Sequence, residues 1–465
     1  MSHRSLEDLL EGAGDRVALL RNQQTGPNVY PGVPSEFTNW RDEQQAWQRT
    51  CVLFNQSYHM ADLAVQGPDA LRLLSDLGVN SFDGFAVDRA KHFVPCSPDG
   101  YVIGDVILFA LAENSYNLVG RAPALNWITY HAETGPYDVT VELDQRSALR
   151  TDGRRKSYRF QVQGPNAMAV IEKVLGGPPP ELKFFHMTAV TIAGRTVRAL
   201  RHGMAGQPGW ELFGPWEDEQ PVREAIVTAG EEFGMRQVGG RAYSSNTLES
   251  GWIPSPLPAV YSGKSLKAYR EWLPADGYEA RASIGGSFVG GTIDDYYFTP
   301  WDLGYGSYVK FDHDFIGRDA LQAMADGGRH RKKVTLALDD DDVTRTISTM
   351  FQKEDRAKFI DWPSAVYSMH PYDAVTVDGE IVGVSTWIGY SASEGRMLTL
   401  AVLDPEHAEP GTQVTLLWGE EDGGTSKPTV EPHVQTEMRA TVSPVPYVET
   451  VRRSYAPPGG WRAAS

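Results

Sequence analysis

Cysteine is nearly missing from this chain. Only Cys51 and Cys96 occur among 465 residues, and neither stands in a spacing that suggests a disulfide framework or a zinc site. Both read as buried thiols in a reducing compartment. Positive charge is also short: 43 Lys and Arg face 60 Asp and Glu, leaving a net charge of −17. Nucleic acids and anionic membranes need a basic face, so neither is expected as a partner. A small anion would have to be gripped by a few placed cations. No apolar run approaches the ~18 residues of a membrane span. Ser2 through Gly12 is charged and lacks the apolar core of a signal peptide, so a soluble, cytoplasmic protein is expected.

Catalytic signatures are missing too. There is no Cys-x-x-Cys, no Gly-x-Ser-x-Gly elbow, and no metalloprotease spacing among the eleven histidines, so no metal is expected. The glycine-rich Gly285–Gly291 is neither led by an apolar strand nor followed by a good helix start, which argues against a dinucleotide loop.

What the chain does have is a repeat. Val-Gln-Gly-Pro occurs at Val65–Pro68 and again at Val162–Pro165. In the first copy a strand over Ala61–Val65 leads into the turn, and Leu71, Leu73, Leu74 and Leu77 mark the buried stripe of a helix. Strands Val102–Ala110 and Tyr116–Val119 follow, joined at Glu113-Asn114, and then a helix over Pro123–Ala132. The second copy repeats this order with strand Tyr158–Val162, helix Asn166–Leu175, strands Thr196–Arg201 and Trp210–Phe213, and helix Pro221–Phe233. Proline at a first helical position loses no backbone bond, so each Gly-Pro is read as a helix start. Strand-helix-strand-strand-helix is the grammar of a split βαβ unit. Beyond about residue 330, short β-type runs with turn punctuation, Asp378-Gly379 among them, predict a barrel or sandwich. The expected fold is α+β: two pseudo-repeated split βαβ lobes, 1–155 and 156–330, and a β-rich barrel domain, 331–465. A seam between equivalent lobes is a natural ligand pocket.

The run Gly304–Gly306, Val309–Asp312 and Phe315–Leu321 resembles a signature of the folate-dependent aminomethyltransferase family. The Gln-Gly-Pro turns, Gly100–Asp105 and Gly209–Phe213 match in order. The departures resemble one branch of that family, the tetrahydrofolate-dependent aryl-O-demethylases. They include Asn28–Pro31, His59-Met60, Val119–Pro123, Arg201–Gly206 and Tyr243–Pro258. Of an adjacent acidic pair near the reacting amine in the parent family, only Asp105 remains, after Gly104.

The resemblance implies tetrahydrofolate as methyl acceptor and a methoxylated aromatic acid such as vanillate, syringate or 3-O-methylgallate as donor. It assigns Tyr243 to catalysis, assisting the departing aryl oxygen. Arg121 would grip the aromatic carboxylate, with His59, Tyr30 and Gln56 completing that wall. Glu211, Gln163, Trp252 and Val119 would hold the folate. Read without the resemblance, each fits an ordinary role: a core tyrosine, an exposed ion pair, a satisfied histidine. Two alternatives stay open: a relative acting on a sulfonium or amine, and a folate-binding scaffold without catalysis.

Overall fold

The structure, a computed structural model, describes residues 4–27, 29–150, 154–204, 206–254 and 256–455. Asn28, Ala205 and Ser255 of the motifs above lie outside the described residues. Eleven strands build two sheets: β1 (Cys51–Asn55), β2 (Ala61–Gln66), β3 (Ala90–Phe93), β4 (Val106–Ala112), β5 (Ser115–Gly120), β6 (Thr140–Asp144), β7 (Ser157–Gln163), β8 (Met187–Ile192), β9 (Arg195–Arg201), β10 (Gly209–Pro215) and β11 (Met235–Val238). The first sheet runs β3-β4-β5-β2-β6 and the second β8-β9-β10-β7-β1-β11. Their first four positions correspond one to one, so the repeat is real at the level of topology.

The difference lies in β1. It precedes the first repeat in sequence, yet it inserts into the second sheet, antiparallel to β7 and parallel to β11. Each lobe also has one more strand before its second helix, and another after it, than the sequence grammar predicts. β3 and β8 are the former, β6 and β11 the latter.

The repeated turns share their hydrogen bonds. Ala70 N–H donates to Gly67 O and Ala167 N–H to Gly164 O, both at 3.0 Å. Gly67 and Gly164 have φ of 136° and 132°. A Cβ at Gly67 would lie 2.3 Å from Asp138 O, and one at Gly164 2.6 Å from Thr50 O, so glycine is required twice over. The helices begin only at Ala70 and Ala167, with Asp69 and Asn166 at their N-caps. Each proline therefore sits just outside its helix, not at its first position, because the glycine turn occupies that stretch.

Val102–Asp105 does not join β4. Val102 N–H donates to Phe298 O and Ile103 N–H to Pro95 O, so this stretch leaves the ladder and runs as irregular backbone. At the N-terminus, Ser5 and Asp8 form a reciprocal capping box on helix Leu6–Ala13.

The C-terminal region is a closed barrel of Lys332–Leu338, Arg396–Leu403, Glu380–Ser391, Asp373–Val377, Gln413–Trp418 and Thr436–Ser443, in that order around the wall. Asp378 and Gly379 both take positive φ, 51° and 85°, as a two-residue hairpin demands. Its core is Val375, Leu416, Met438 and their neighbours. Among the described residues no helix is long and apolar enough to cross a membrane.

Candidate active site

A cavity of about 390 Å³ opens where the two lobes meet the barrel. Six of the nine nominated residues line it: Tyr30, His59, Val119, Arg121, Tyr243 and Trp252. Gln56, Gln163 and Glu211 stand behind the wall.

Tyr243 lies in the first turn of the helix Gly240–Ser250. Gly239 caps that helix and packs so closely on residue 35 that a Cβ would lie 2.4 Å from Ser35 O. Its N–H donates to Glu43 Oε2 at 2.9 Å. At the far end, Glu249 accepts from Gln48 at 2.7 Å and from barrel residue Ser391 at 3.1 Å. The helix carrying Tyr243 is thus fixed at both ends. The phenol packs on Tyr30 (ring centroids 4.8 Å), His59 (4.9 Å) and Phe54 (5.5 Å). Its Oη lies 3.1 Å from His59 Nε2, and Gln56 Nε2 donates to it at 3.5 Å.

Burial, reinforced by Arg121 and Arg155, holds His59 down to about 3, so the ring is neutral. Burial also pushes Tyr30 up to about 12 and drives Tyr243 far above the ordinary phenol range. Both remain O–H donors across the physiological range.

Arg121 follows β5 and caps helix Ala122–Thr134 in an extended conformation, with Pro123 in the first turn. Its Nη1 is buried and has no hydrogen-bond partner among the described residues. A guanidinium nitrogen desolvated without an anion is costly, so the site is built for an acceptor from outside.

The opposite wall centres on Asp105, held by the irregular stretch before β4. Its Oδ2 lies 2.6 Å from His92 Nε2 and accepts from Trp252 Nε1 at 2.9 Å and Tyr305 Oη at 3.3 Å. Burial alone would raise its carboxyl, but these partners outweigh it and hold the group below its usual range. Barrel residue Lys333 reaches the same wall, and burial lowers its ammonium to about 8 against the pull of Asp105. His92, Tyr305 and Lys333 were not anticipated from sequence.

Glu211 accepts from Arg159, whose guanidinium sits 4.7 Å from both the Phe109 and Phe213 rings and 3.4 Å from Asp62. His202 Nδ1 is 3.4 Å from Glu211. Gln163 Oε1 accepts from Met204 N–H at 2.5 Å. Both residues therefore hold the His202–Met204 segment, which does line the cavity.

The GCVT N-terminal domain family matches residues 20–255. Syringate O-demethylase of Sphingobium sp. (strain NBRC 103272 / SYK-6) is 61% identical over 459 residues, 99% of either chain. The chain belongs to the aminomethyltransferase family. Sesamin methylene transferase of Sinomonas sp. (strain No.22) is 32% identical over 83% of each chain. The glycine cleavage system aminomethyltransferase T from Bartonella henselae shares the fold, at TM-score 0.61 and 18% identity over 92% of this chain and 95% of that one. Among aminomethyltransferases this one is a tetrahydrofolate-dependent O-demethylase, an enzyme that transfers a methyl group. The cavity fits a reduced pterin: Asp105 Oδ1 accepts no bond from the described residues, beside the aromatic faces of Trp252 and Tyr305.

Proposed function

We propose that the protein demethylates methoxylated aromatic carboxylic acids in the cytoplasm, leaving a phenol and 5-methyltetrahydrofolate. Vanillate, syringate and 3-O-methylgallate are the candidate donors, and the 61% identical relative favours syringate. The observation that carries this reading is the pairing, on one cavity wall, of an unpartnered Arg121 Nη1 with a neutral Tyr243 hydroxyl.

Arg121 takes the ring carboxylate and so fixes the donor's long axis. Tyr30 and His59 flank the ring, and His59 stays neutral, able to bond a phenol hydroxyl without competing for the carboxylate. Tyr243 holds its proton more tightly than an ordinary phenol does, so it serves the departing aryl oxygen as a hydrogen-bond donor without surrendering the proton. Gln56 donates to the same hydroxyl, which leaves the hydroxyl's own proton free to turn to the substrate. Trp252 and Val119 line the folate end, Asp105 Oδ1 accepts from pterin N–H groups, and Glu211 and Gln163 brace the His202–Met204 wall. Bound tetrahydrofolate supplies the nucleophilic nitrogen that accepts the methyl group.

The test is turnover of purified protein with tetrahydrofolate and each acid in turn. Expected is the catechol or gallate absorbance rising in step with 5-methyltetrahydrofolate. If all three acids survive untouched, the aryl-ether reading is wrong.

A further inference from the structure

Asp105 stands at the end of an irregular stretch of backbone. Val102 and Ile103 give their N–H groups to Phe298 and Pro95, so no strand ladder fixes the carboxylate that follows. A side chain has to do so. His92, on β3, makes the shortest contact: its Nε2 lies 2.6 Å from Asp105 Oδ2. We propose that His92 is the positioning residue of the pterin site, holding Asp105 ionised and turned so that Oδ1 faces the folate. The inference rests on the proposed role of Asp105 as pterin acceptor.

An ionised carboxylate only accepts, so the hydrogen in this contact belongs to His92 Nε2. Trp252 and Tyr305 donate to the same oxygen at 2.9 and 3.3 Å. Oδ2 is thereby spent, while Oδ1 takes no bond from the described residues. The imidazole is itself braced. Tyr305 and Tyr308 meet it edge-on, at centroid distances of 4.7 and 5.5 Å. Asn80 ties the strand from behind: its Nδ2 donates to His92 O at 2.7 Å, and its Oδ1 accepts from Val94 N–H at 3.1 Å. β3 pairs with β4, which sets His92 opposite Ile107, two residues beyond Asp105.

The contact acts on charge as well as on direction. Burial pushes the Asp105 carboxyl up, and the His92 hydrogen bond is foremost among the contacts that bring it down again, ahead of Trp252 and Tyr305. The other titratable groups facing the acid are Tyr305 and the barrel's Lys333; Tyr308 faces the imidazole. Burial keeps Tyr305 protonated and lowers Lys333 to about 8. Without His92 the effect of burial would prevail. The carboxyl would then take a proton at a higher pH, and a protonated acid is a weaker acceptor for pterin N–H groups.

The experiment is calorimetry of the purified protein with tetrahydrofolate, air excluded, at pH about 8 and about 5.5. For His92→Leu the expected loss of affinity is about tenfold at the higher pH and larger at the lower. His92→Gln, whose amide N–H reaches the same oxygen, should stay within about threefold of the unaltered protein. In an Asp105→Asn background, His92→Leu should cost nothing further. Should the leucine variant fail to fold, His92→Asn replaces it, its shorter amide falling short of Oδ2. Unchanged affinity, an equal loss at both pH values, a glutamine variant as weak as the leucine one, or the same loss in the Asp105→Asn background would overturn the role of His92 and leave the folate site standing. Unaltered protein that takes up no tetrahydrofolate would overturn the pterin reading and this inference together.

Discussion

The Tyr243 hydroxyl lies 3.1 Å from His59 Nε2, and burial fixes the charge of both partners: a neutral ring beside a phenol that keeps its proton. A neutral imidazole can accept the hydroxyl's hydrogen bond at rest and give it up to a better-placed oxygen when the substrate enters. Removing the hydroxyl should therefore strike chemistry and spare binding. Tyr243→Phe is expected to lower turnover by about 100-fold or more, with folate affinity by calorimetry unchanged. A Phe variant of near-normal kcat would remove Tyr243 from the reaction.

The proposed reading gives the donor's carboxylate to Arg121. Arg121→Ala should cost about 1.5 to 3 kcal/mol in kcat/KM, roughly 10- to 150-fold, mostly through KM. The matching aldehyde, which has no carboxylate, should be a poor substrate for both forms and lose little from the substitution. An equal loss for acid and aldehyde would place the carboxylate elsewhere.

His59 should make the fold sensitive to acid. Its pKa falls from 6.5 to about 3 on folding, so between those values the unfolded chain takes the proton more readily. The stability it contributes is complete above 6.5 and drains away as pH falls toward 3. Between pH 7 and 5 this amounts to about 1 to 2 kcal/mol. His59→Gln should flatten that part of the stability curve, read as urea midpoints at the two pH values. Parallel curves for the two proteins would assign the acid sensitivity to other groups.

Arg159 serves the buried Glu211 of the second lobe and the partly exposed Asp62 of the first. Arg159→Met would fill the space between Phe109 and Phe213 but leave Glu211 buried without its guanidinium, while Asp62 keeps Arg155 at 2.6 Å. Breaking a buried pair in this way is expected to cost about 3 to 5 kcal/mol of unfolding free energy in urea. A loss below about 1 kcal/mol would mean that Glu211 finds another partner.

The lobes were legible in sequence because their defining feature is local. Gly67 and Gly164 need left-handed backbone within a four-residue turn, and only glycine supplies it beside Asp138 O and Thr50 O. Arg121 and Tyr243 could be nominated through motifs, and the cavity brings them to one wall. What was not legible depends on distant segments meeting. Asp105 gains its role from His92, Trp252, Tyr305 and Lys333, which come from a strand, two loops and the barrel. Lys333 had one signal, the basic run it ends in an acidic chain, though composition did not say what it faces. Glu211 reads as an ordinary surface glutamate until Arg159 is placed beside it. The irregular backbone at Val102–Asp105 was hidden because its residues have strand character while Phe298 and Pro95 take their bonds.

The insertion of β1 between β7 and β11 also bears on how this gene can be cut. A fragment encoding residues 156–330 alone would leave β7 and β11 facing a missing rung, with two rows of backbone donors and acceptors open to water or to a neighbouring molecule. Exchanging the halves with those of a relative at a crossover between Asp144 and Ser157 would therefore set a β1 from one parent between a β7 and a β11 from the other.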